Sequence, residues 1–553
     1  MCRLLFRAAT TENHDLVEKA LDNMKRGGPD NQEYISLRTS IGSYVVLGHN
    51  RLSIIDLSEE ANQPMQNDRV YILFNGEIYN YKELREKYKL ECKTQGDTEV
   101  ILELFLKLGP KAFSELDGEY AIVIYDHKTG DIYATRDPMG IKPLYWTNDN
   151  QLIFSSEVKG ILPFIETDYT KQQLENILTY GYPINGTIFE GIEMVPPGDV
   201  FKFNRAGYKL LEHTTHNTKS ISEVFKKRSY FPKEITREQR LSTAIENAVV
   251  KRMIADVPIS VTLSGGVDSA IITGLMAKHS SKPVKTYTIG FKNLGNEFDQ
   301  ARKVAKYFGT DHTEVEIDPE DILHHIDDIL YALEDPMDRG SSMYTYFLGR
   351  SIKEKVTLIG EGADELFGGY NRHKEVLPED IEEYKTDFLK VFTDRTDNLQ
   401  GEFMYDYEDM NSVLAIDLMN EIPNYHTMRI DKLMMAHGIE ARVPYLDPEV
   451  VKVAMDISTR HKIDPKKKIL RNAFKGTFPD WMLNPEKKAL KLPYEIFVKR
   501  KEVKDTILKN PIFFSKDDIQ DLYRRGEDPP RNWGRKLWQI YLLIKWYELF
   551  IRK

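Results

Sequence analysis

Cysteine is nearly absent from this 553-residue chain, which has only Cys2 and Cys92. A disulfide framework and cysteine-rich zinc sites are therefore excluded, and a reducing, cytoplasmic setting is expected. An excess of basic charge is also missing. Lys and Arg number 76 against 86 Asp and Glu, a net charge of −10, so neither nucleic acid nor an anionic membrane is expected as a partner. Long apolar runs are lacking too. The densest, LWQIYLLIKWYELF at 537–550, carries Lys545 and Glu548 and is too short to span a bilayer. It reads as a packed final helix. MCRLLFRAATTENHD at the N-terminus is too short in its apolar part for a signal peptide. Repeats and low-complexity tracts do not occur. What remains is a globular composition, 41% hydrophobic and 29% charged, in a chain too long for one core.

Residues 1 to about 165 alternate short strand-like runs with few helices. The runs SYVVLGH, VYILFNGEIYN, EYAIVIYD, DIYATRD and QLIFSS are bounded by Gly, Asp, Asn or Lys-Thr-Gly. Helical spacing covers residues 15–24 and 97–108. Antiparallel sheets with helices on their outer faces are expected. Residues 206–235 are polar and mixed in charge and read as a linker. From 236 onward buried strands alternate with longer helices, the pattern of an α/β domain with a parallel sheet, and residues 400–553 read as mostly helical. The domains are thus expected at 2–205 and 236–553.

The strongest local signal is VPISVTLSGGVDSAIITGL at 257–275. A β-branched run stops at Ser264-Gly265-Gly266, and an apolar run with helical spacing follows at once. A strand, a glycine turn and a helix N-terminus make a phosphate site, because the first helical N–H groups have no partner inside the helix. Ser264 and Ser269 add hydroxyl donors, and Asp268 adds a hard oxygen ligand suited to Mg²⁺. The Walker Gly-Lys-Ser/Thr is absent. A second turn, GEGADELFGGY at 360–370, gathers Glu361, Asp364 and Glu365. Three carboxylates so close repel one another unless cations intervene. DPKKKILRNAF at 464–474 places Lys466, Lys467 and Lys468 ahead of a helix. A solvated basic run is the commoner meaning of such a triplet, but a lysine there could also neutralise a leaving pyrophosphate.

At the other end, removal of Met1 would make Cys2 the first residue, whose own α-amino group could relay the thiol proton. A chance cysteine is the plainer reading of Cys2 alone. Its companions change that. Asn75 and Gly76 end a strand and can donate to an oxyanion. Arg51 suits a substrate carboxylate, and Glu77 or Asp97 suits an ammonium.

These motifs resemble class II glutamine amidotransferases: Met1-Cys2, RLSI at 51–54, FNGEIYNY at 74–81, DTEVI at 97–101, DGEYA at 117–121 and RDPMGIKPLY at 136–145. SGGVDS resembles the pyrophosphate loop of the ATP pyrophosphatases. With GEGADELFGGY, EARVPYLD at 440–447 and KKILR, the order along nearly the whole chain resembles the glutamine-hydrolysing asparagine synthetase family. The resemblance implies an N-terminal four-layer α-β-β-α sandwich of the N-terminal-nucleophile hydrolases, then the parallel-sheet synthetase domain. It implies Cys2 as nucleophile, Asn75 and Gly76 as oxyanion hole, and Arg51, Asn75, Glu77 and Asp97 as glutamine ligands. For ATP and pyrophosphate it implies Leu263, Ser264, Gly265, Gly266, Asp268, Ser269, Ile289, Ile359, Gly360 and Lys467. Asp268 and Asp364 would bind Mg²⁺, and Glu361 would support adenylation. Arg339 and Arg442 are the candidates for aspartate. The implied partners are glutamine, aspartate and ATP, and relatives are often homodimers. An acceptor other than aspartate, as in β-lactam synthetase-like relatives, keeps the same two domains.

Departures from the family pattern cluster beside the nucleophile. Arg3-Leu4 stands where the family has a small residue and Ile, and Arg26-Gly27-Gly28-Pro29-Asp30 carries one extra glycine. Ile359 replaces a usual serine.

Overall fold

The computed structural model describes residues 2–204, 210–215, 235–292, 296–338, 340–371, 373, 410–463, 465–485, 492–525 and 533–552. The N-terminal part contains β1 (Arg3–Ala9), β2 (Asn31–Arg38), β3 (Tyr44–Arg51), β4 (Met65–Gln66), β5 (Val70–Ile78) and β6 (Gly118–Asp126). It continues with β7 (Ile132–Arg136), β8 (Tyr145–Thr147), β9 (Leu152–Ser155), β10 (Glu193–Met194), β11 (Asp199–Phe203) and β12 (Leu210–Thr215). They form two six-stranded sheets, ordered β10-β8-β9-β1-β3-β2 and β12-β11-β7-β6-β5-β4.

Side-chain alternation explains the layering. Leu4, Phe6 and Ala8 of β1 face Leu73, Ala121, Val123 and Ala134 of the other sheet. Leu5 points the opposite way, onto Val17, Ala20 and Leu21 of the helix His14–Met24. On the far side, Ile72 and Phe74 of β5 pack on the helix Asp97–Leu108. The result is the expected α-β-β-α sandwich. Seven of its strands, β1, β2, β4, β8, β10, β11 and β12, are not among the runs read from the sequence. β12 lies within 206–235, so the second sheet runs on into the range read as linker. The rest of that range, apart from residue 235, lies outside the described residues.

The second part opens with a capping box. Thr236 accepts from the Gln239 amide, and the Gln239 side chain accepts from the Thr236 amide, at the start of the helix Arg237–Lys251. Strands β13 (Ile259–Thr262), β14 (Lys285–Phe291), β15 (Asp311–Ile317), β16 (Val356–Leu358) and β17 (Glu440–Arg442) form one sheet, ordered β15-β14-β13-β16-β17. Every pairing is parallel. The order runs outward from β13 in both directions, so the switch point lies between β13 and β16, where ligands of such sheets bind. Two short helices follow β15, Pro319–His324 and Ile326–Leu333, separated at His325. The final helix, Trp533–Phe550, is buried along most of its length as expected. Among the described residues no helix is long and apolar enough to cross a membrane.

One apolar cluster crosses between the two parts, from Leu5, Val17 and Leu21 to Leu330, Leu333 and Trp546. Buried charge crosses with it. Arg252 pairs with Glu119 of the first part at 2.8 Å and with Asp447 of the second at 2.8 Å. Replacing it by methionine is expected to cost about 3 kcal/mol, the low end for breaking a buried pair, because cations remain beside both carboxylates. Those cations are Lys142 on Glu119 and Lys251 on Asp447. Urea unfolding of Arg252→Met measures this, and an unchanged midpoint would mean that the pair contributes no net stability.

Candidate active sites

Cys2 is buried at the start of β1, and its backbone N–H donates to Asn75 Oδ1 at 3.0 Å. The Asn75 amide group also reaches Ser156 Oγ at 3.5 Å. Gly76 follows with φ +148, and a Cβ there would lie 2.0 Å from the Glu119 carbonyl oxygen. That oxygen is sheet backbone and cannot yield, so only glycine fits. A small cavity of about 30 Å³ is lined by Cys2, Arg51, Gly76, Glu77 and Asp97, along with Leu52 and Gln63. Six of the residues expected for one site are therefore brought together, Asn75 through its bond to Cys2.

Electrostatics within this cavity are uneven. Burial pushes the Cys2 thiol up, against a hydrogen bond from the Leu52 backbone and the Arg51 charge. Burial also pushes Asp97 up to about 6, although its carboxylate accepts from Ile78 N–H at 2.9 Å. Arg51 is anchored by the loop beneath it. Its guanidinium donates to the Ser58 carbonyl and to Asn62 Oδ1, both at 2.7 Å, and to the Asp56 carbonyl.

Arg442 is where sequence reading and structure part. It does not line the cavity of the second part. Its fully buried guanidinium lies 3.3 Å from Glu77 of the first cavity and is bonded to Glu440. It also donates to the carbonyls of Arg252 and Ile254. An arginine so engaged is a strut between the domains. Against burial, the N-terminal ammonium and then Arg442 hold Glu440 well below the usual carboxylate range, while burial pushes Glu77 up. Arg339, the other residue expected at an aspartate site, lies outside the described residues.

The second cavity, about 290 Å³, opens at the switch point between β13 and β16. Leu263, Ser264, Asp268, Ser269, Ile289, Ile359, Gly360, Glu361 and Asp364 line it. Gly265 and Gly266 form the turn behind Ser264. The two serines fix this turn: Ser269 Oγ accepts from Ser264 N–H at 3.0 Å, and Ser264 Oγ accepts from Gly266 N–H at 3.2 Å. Gly266 is the N-cap of the helix Val267–His279, with φ −82. Its backbone is ordinary extended chain, so the glycine serves close approach rather than a left-handed bend. Lys467 sits between Asp268 and Asp364, 2.6 Å from the latter, and its φ of +57 is strained for a lysine. The two carboxylates hold its ammonium above the ordinary lysine range against the pull of burial.

Two residues, one lining this cavity and one bonded to its Glu361, are not read from the sequence. Arg429, on the helix Thr427–Met435, lines it and donates to Glu361 at 2.9 Å and to Thr345 Oγ1. His426 precedes that helix, bonded to Glu361, and its Nε2 lies 3.4 Å from Glu365 and 3.6 Å from Glu421. Burial alone would lower His426, but Glu365 and Glu361 hold it up at about 10. Glu361 is pushed up by burial and pulled below it by Arg429 and His426, to about 2. The imidazolium thus fills the middle of the acidic cluster. A charged residue every few positions in an otherwise apolar stretch, as in YHTMRIDKLMM, is the only trace this leaves in the sequence.

Residues 240–548 match the family model described as asparagine synthase, and residues 1–214 match that of a glutamine amidotransferase domain. Asparagine synthetase (glutamine-hydrolyzing) 1 of Bacillus subtilis is 29% identical, over 99% of this chain and 95% of the relative. Asparagine synthetase (glutamine-hydrolyzing) 3 of Arabidopsis thaliana is 30% identical, over 82% of this chain and 70% of the relative.

Asp97 gives a test of the first cavity by pH. Its folded value of about 6 lies above the ordinary 3.8. Its stabilising contribution is thus fully present below 3.8 and is lost as pH rises through about 6, by at most about 3 kcal/mol. Urea unfolding between pH 4 and 7 is expected to show a shallower pH dependence in Asp97→Asn than in the parent. Parallel curves would show that Asp97 titrates as if exposed.

Proposed function

Since the chain belongs to the asparagine synthase family, we propose that it makes L-asparagine from L-aspartate and ATP with ammonia cut from L-glutamine. The observation that carries this reading is the pair of cavities in one chain. One is built around a buried cysteine at a strand end, and the other around a glycine turn facing two carboxylates and a lysine. We take the glutaminase part as residues 2–205, with β12 added to its second sheet, and the synthetase part as 236–553.

In the first cavity, Cys2 attacks the glutamine amide after Met1 is removed. Its α-amino group takes the thiol proton and returns it to the leaving ammonia. Gly76 N–H and the Asn75 side chain face the developing oxyanion. Arg51 holds the α-carboxylate, and Asp97 with Glu77 holds the ammonium. Water then releases glutamate.

In the second cavity, the apolar slot of Leu263, Ile289 and Ile359 receives the adenine, and the turn at Ser264–Gly266 receives the phosphates. The β-carboxylate of aspartate attacks the α-phosphorus and pyrophosphate leaves against Lys467. Ammonia from the first cavity then attacks the acyl carbon and AMP departs. We assign to Glu361 the support of adenylation and the proton lost by the incoming ammonia. We assign the aspartate α-carboxylate to Arg429 in place of Arg442. Asp268 and Asp364 converge on a single ammonium, and such a hard-oxygen pair fits Mg²⁺. When bound there, the ion would neutralise phosphate charge. A cytoplasmic setting suits a chain that works through a free thiol, and a homodimer is compatible with the family.

Purified protein supplied with glutamine, aspartate, ATP and Mg²⁺ is expected to release pyrophosphate and asparagine together; pyrophosphate release indifferent to aspartate would sink this reading. Cys2→Ala is expected to lose glutamine-dependent synthesis by about 10⁴-fold or more while ammonia-dependent synthesis survives. Loss of both to the same degree would make Cys2 structural. Asp268→Asn is expected to abolish pyrophosphate release and spare glutamine hydrolysis, and continued adenylation would remove Asp268 from the phosphate site.

A further inference from the structure

The two departures beside the nucleophile meet in space. Arg3 projects from the outer face of β1 and is fully buried. Its Nε lies 2.6 Å from Glu157 of its own domain, and its Nη2 lies 3.0 Å from Asp431. Asp431 belongs to the other domain, in the helix Thr427–Met435 that also presents Arg429 to Glu361 and Lys432 to Glu334. A Cβ on Gly27 would lie 2.8 Å from Arg3 Nε and 2.9 Å from its Cγ. With its head held from two sides, the arginine cannot swing away. The glycine at 27 is the space that Arg3 occupies.

We propose that Arg3 is a positioning residue for glutamine hydrolysis, clamping the end of the nucleophile's strand to the synthetase-domain helix through Asp431. The proposal rests on the reading of Cys2 as nucleophile. With Met1 removed, Cys2 is the terminal residue of the chain, just ahead of β1, and free chain ends fray. Catalysis tolerates little of that, since a misplacement of about 1 Å costs about 100-fold. Within the first domain this end is held by Cys2 N–H to Asn75 Oδ1 and Leu4 N–H to Ser156 Oγ, both at 3.0 Å, by Ser156 N–H to the Leu4 carbonyl at 3.1 Å, and by the pairing of Arg3 with Asn50 of β3. Arg3 adds the contact that crosses the interface. A small residue at this position, as in the family pattern, has no side chain with which to make it. Glutamine hydrolysis here therefore depends on a carboxylate of the synthetase domain.

The test uses the full-length chain. Arg3→Met keeps the apolar stem and removes the charge. It is expected to lower the kcat of glutamine hydrolysis about 10- to 100-fold, with little change in KM because Arg51 and Asp97 are untouched. Ammonia-dependent asparagine synthesis should stay within about twofold of the parent. Asp431→Asn is expected to lower the same kcat from the other domain, and Arg3→Lys should recover part of it. Gly27→Ala should cost activity in the parent and nothing further in Arg3→Met, the non-additivity of two residues in contact. If Arg3→Met fails to fold with Asp431 left bare, the double variant Arg3→Met/Asp431→Asn carries the same expectation without the stranded charge. Unchanged kcat in a folded variant overturns the clamp. So does an equal fall in both activities with a lowered unfolding temperature, which marks a merely structural contact. A parent enzyme without glutaminase activity overturns the reading of Cys2 instead.

Discussion

Charge buried between the two domains has to be answered there, and much of the architecture follows from how it is answered. An ion moved from water into a protein interior loses several kcal/mol of solvation, which a partner restores only in good geometry. Arg252 meets Glu119 and Asp447, Arg442 meets Glu77 and Glu440, and Lys432 meets Glu334. Glu334 in turn accepts the amides of Val158 and Lys159 from the first domain, at 3.0 and 2.7 Å. Such pairs add little net stability over an apolar contact of the same shape. Their value lies in register, because a shift of a few ångströms strands several charges at once. Strand β17 shows the effect most directly. The Arg442 side chain reaches the first cavity, while its carbonyl accepts the Ile359 amide at 2.9 Å, at the rim of the second.

The second cavity carries its strain where its charges meet. Lys467 adopts a left-handed backbone, and a Cβ on Gly369 would fall 1.5 Å from Asp364 Oδ1 and 2.5 Å from Lys467 Cε. The Tyr445 hydroxyl donates to the Asp268 carbonyl at 3.0 Å, tying the start of the phosphate-facing helix to the segment that follows β17. A tethered ammonium between two carboxylates lets the site assemble before any substrate arrives.

The parts of this chain that a reader could see in the sequence are those whose chemistry is local. Ser264 to Ser269 declares a strand, a turn and a helix within a dozen residues, and Glu361 to Gly369 declares a crowded acidic turn. Strand β1 stayed hidden because RLLFRAA is a short apolar run whose two arginines are spaced as well for a helix as for a strand. Strand β2, NQEYISLR, is half-exposed and lacks the apolar alternation that marked its neighbours. The pairs that organise the interface are harder still. Arg3 and Asp431 are separated by most of the chain, and nothing near either one names the other. Arg442 sat in a recognisable motif and was read toward the wrong cavity for the same reason: a motif reports that a residue matters, but not which way its side chain points. Of the paired glycines at 27 and 28, the first gives Arg3 its room and the second lies against the Asn50 backbone, and neither contact shows in the sequence.

The interlocked ion pairs also bear on how this enzyme can move. A hinge that parted the domains would take Arg3 from Asp431, Arg252 from Glu119, Arg442 from Glu77 and Glu334 from the amides of Val158 and Lys159 in one step. Domain closure of the kind that sweeps a substrate between two lobes would break all of these contacts together. The boundary between the two cavities is thereby held in one register. On the proposed function, an ammonia molecule crossing it meets the same arrangement of charges at every turnover.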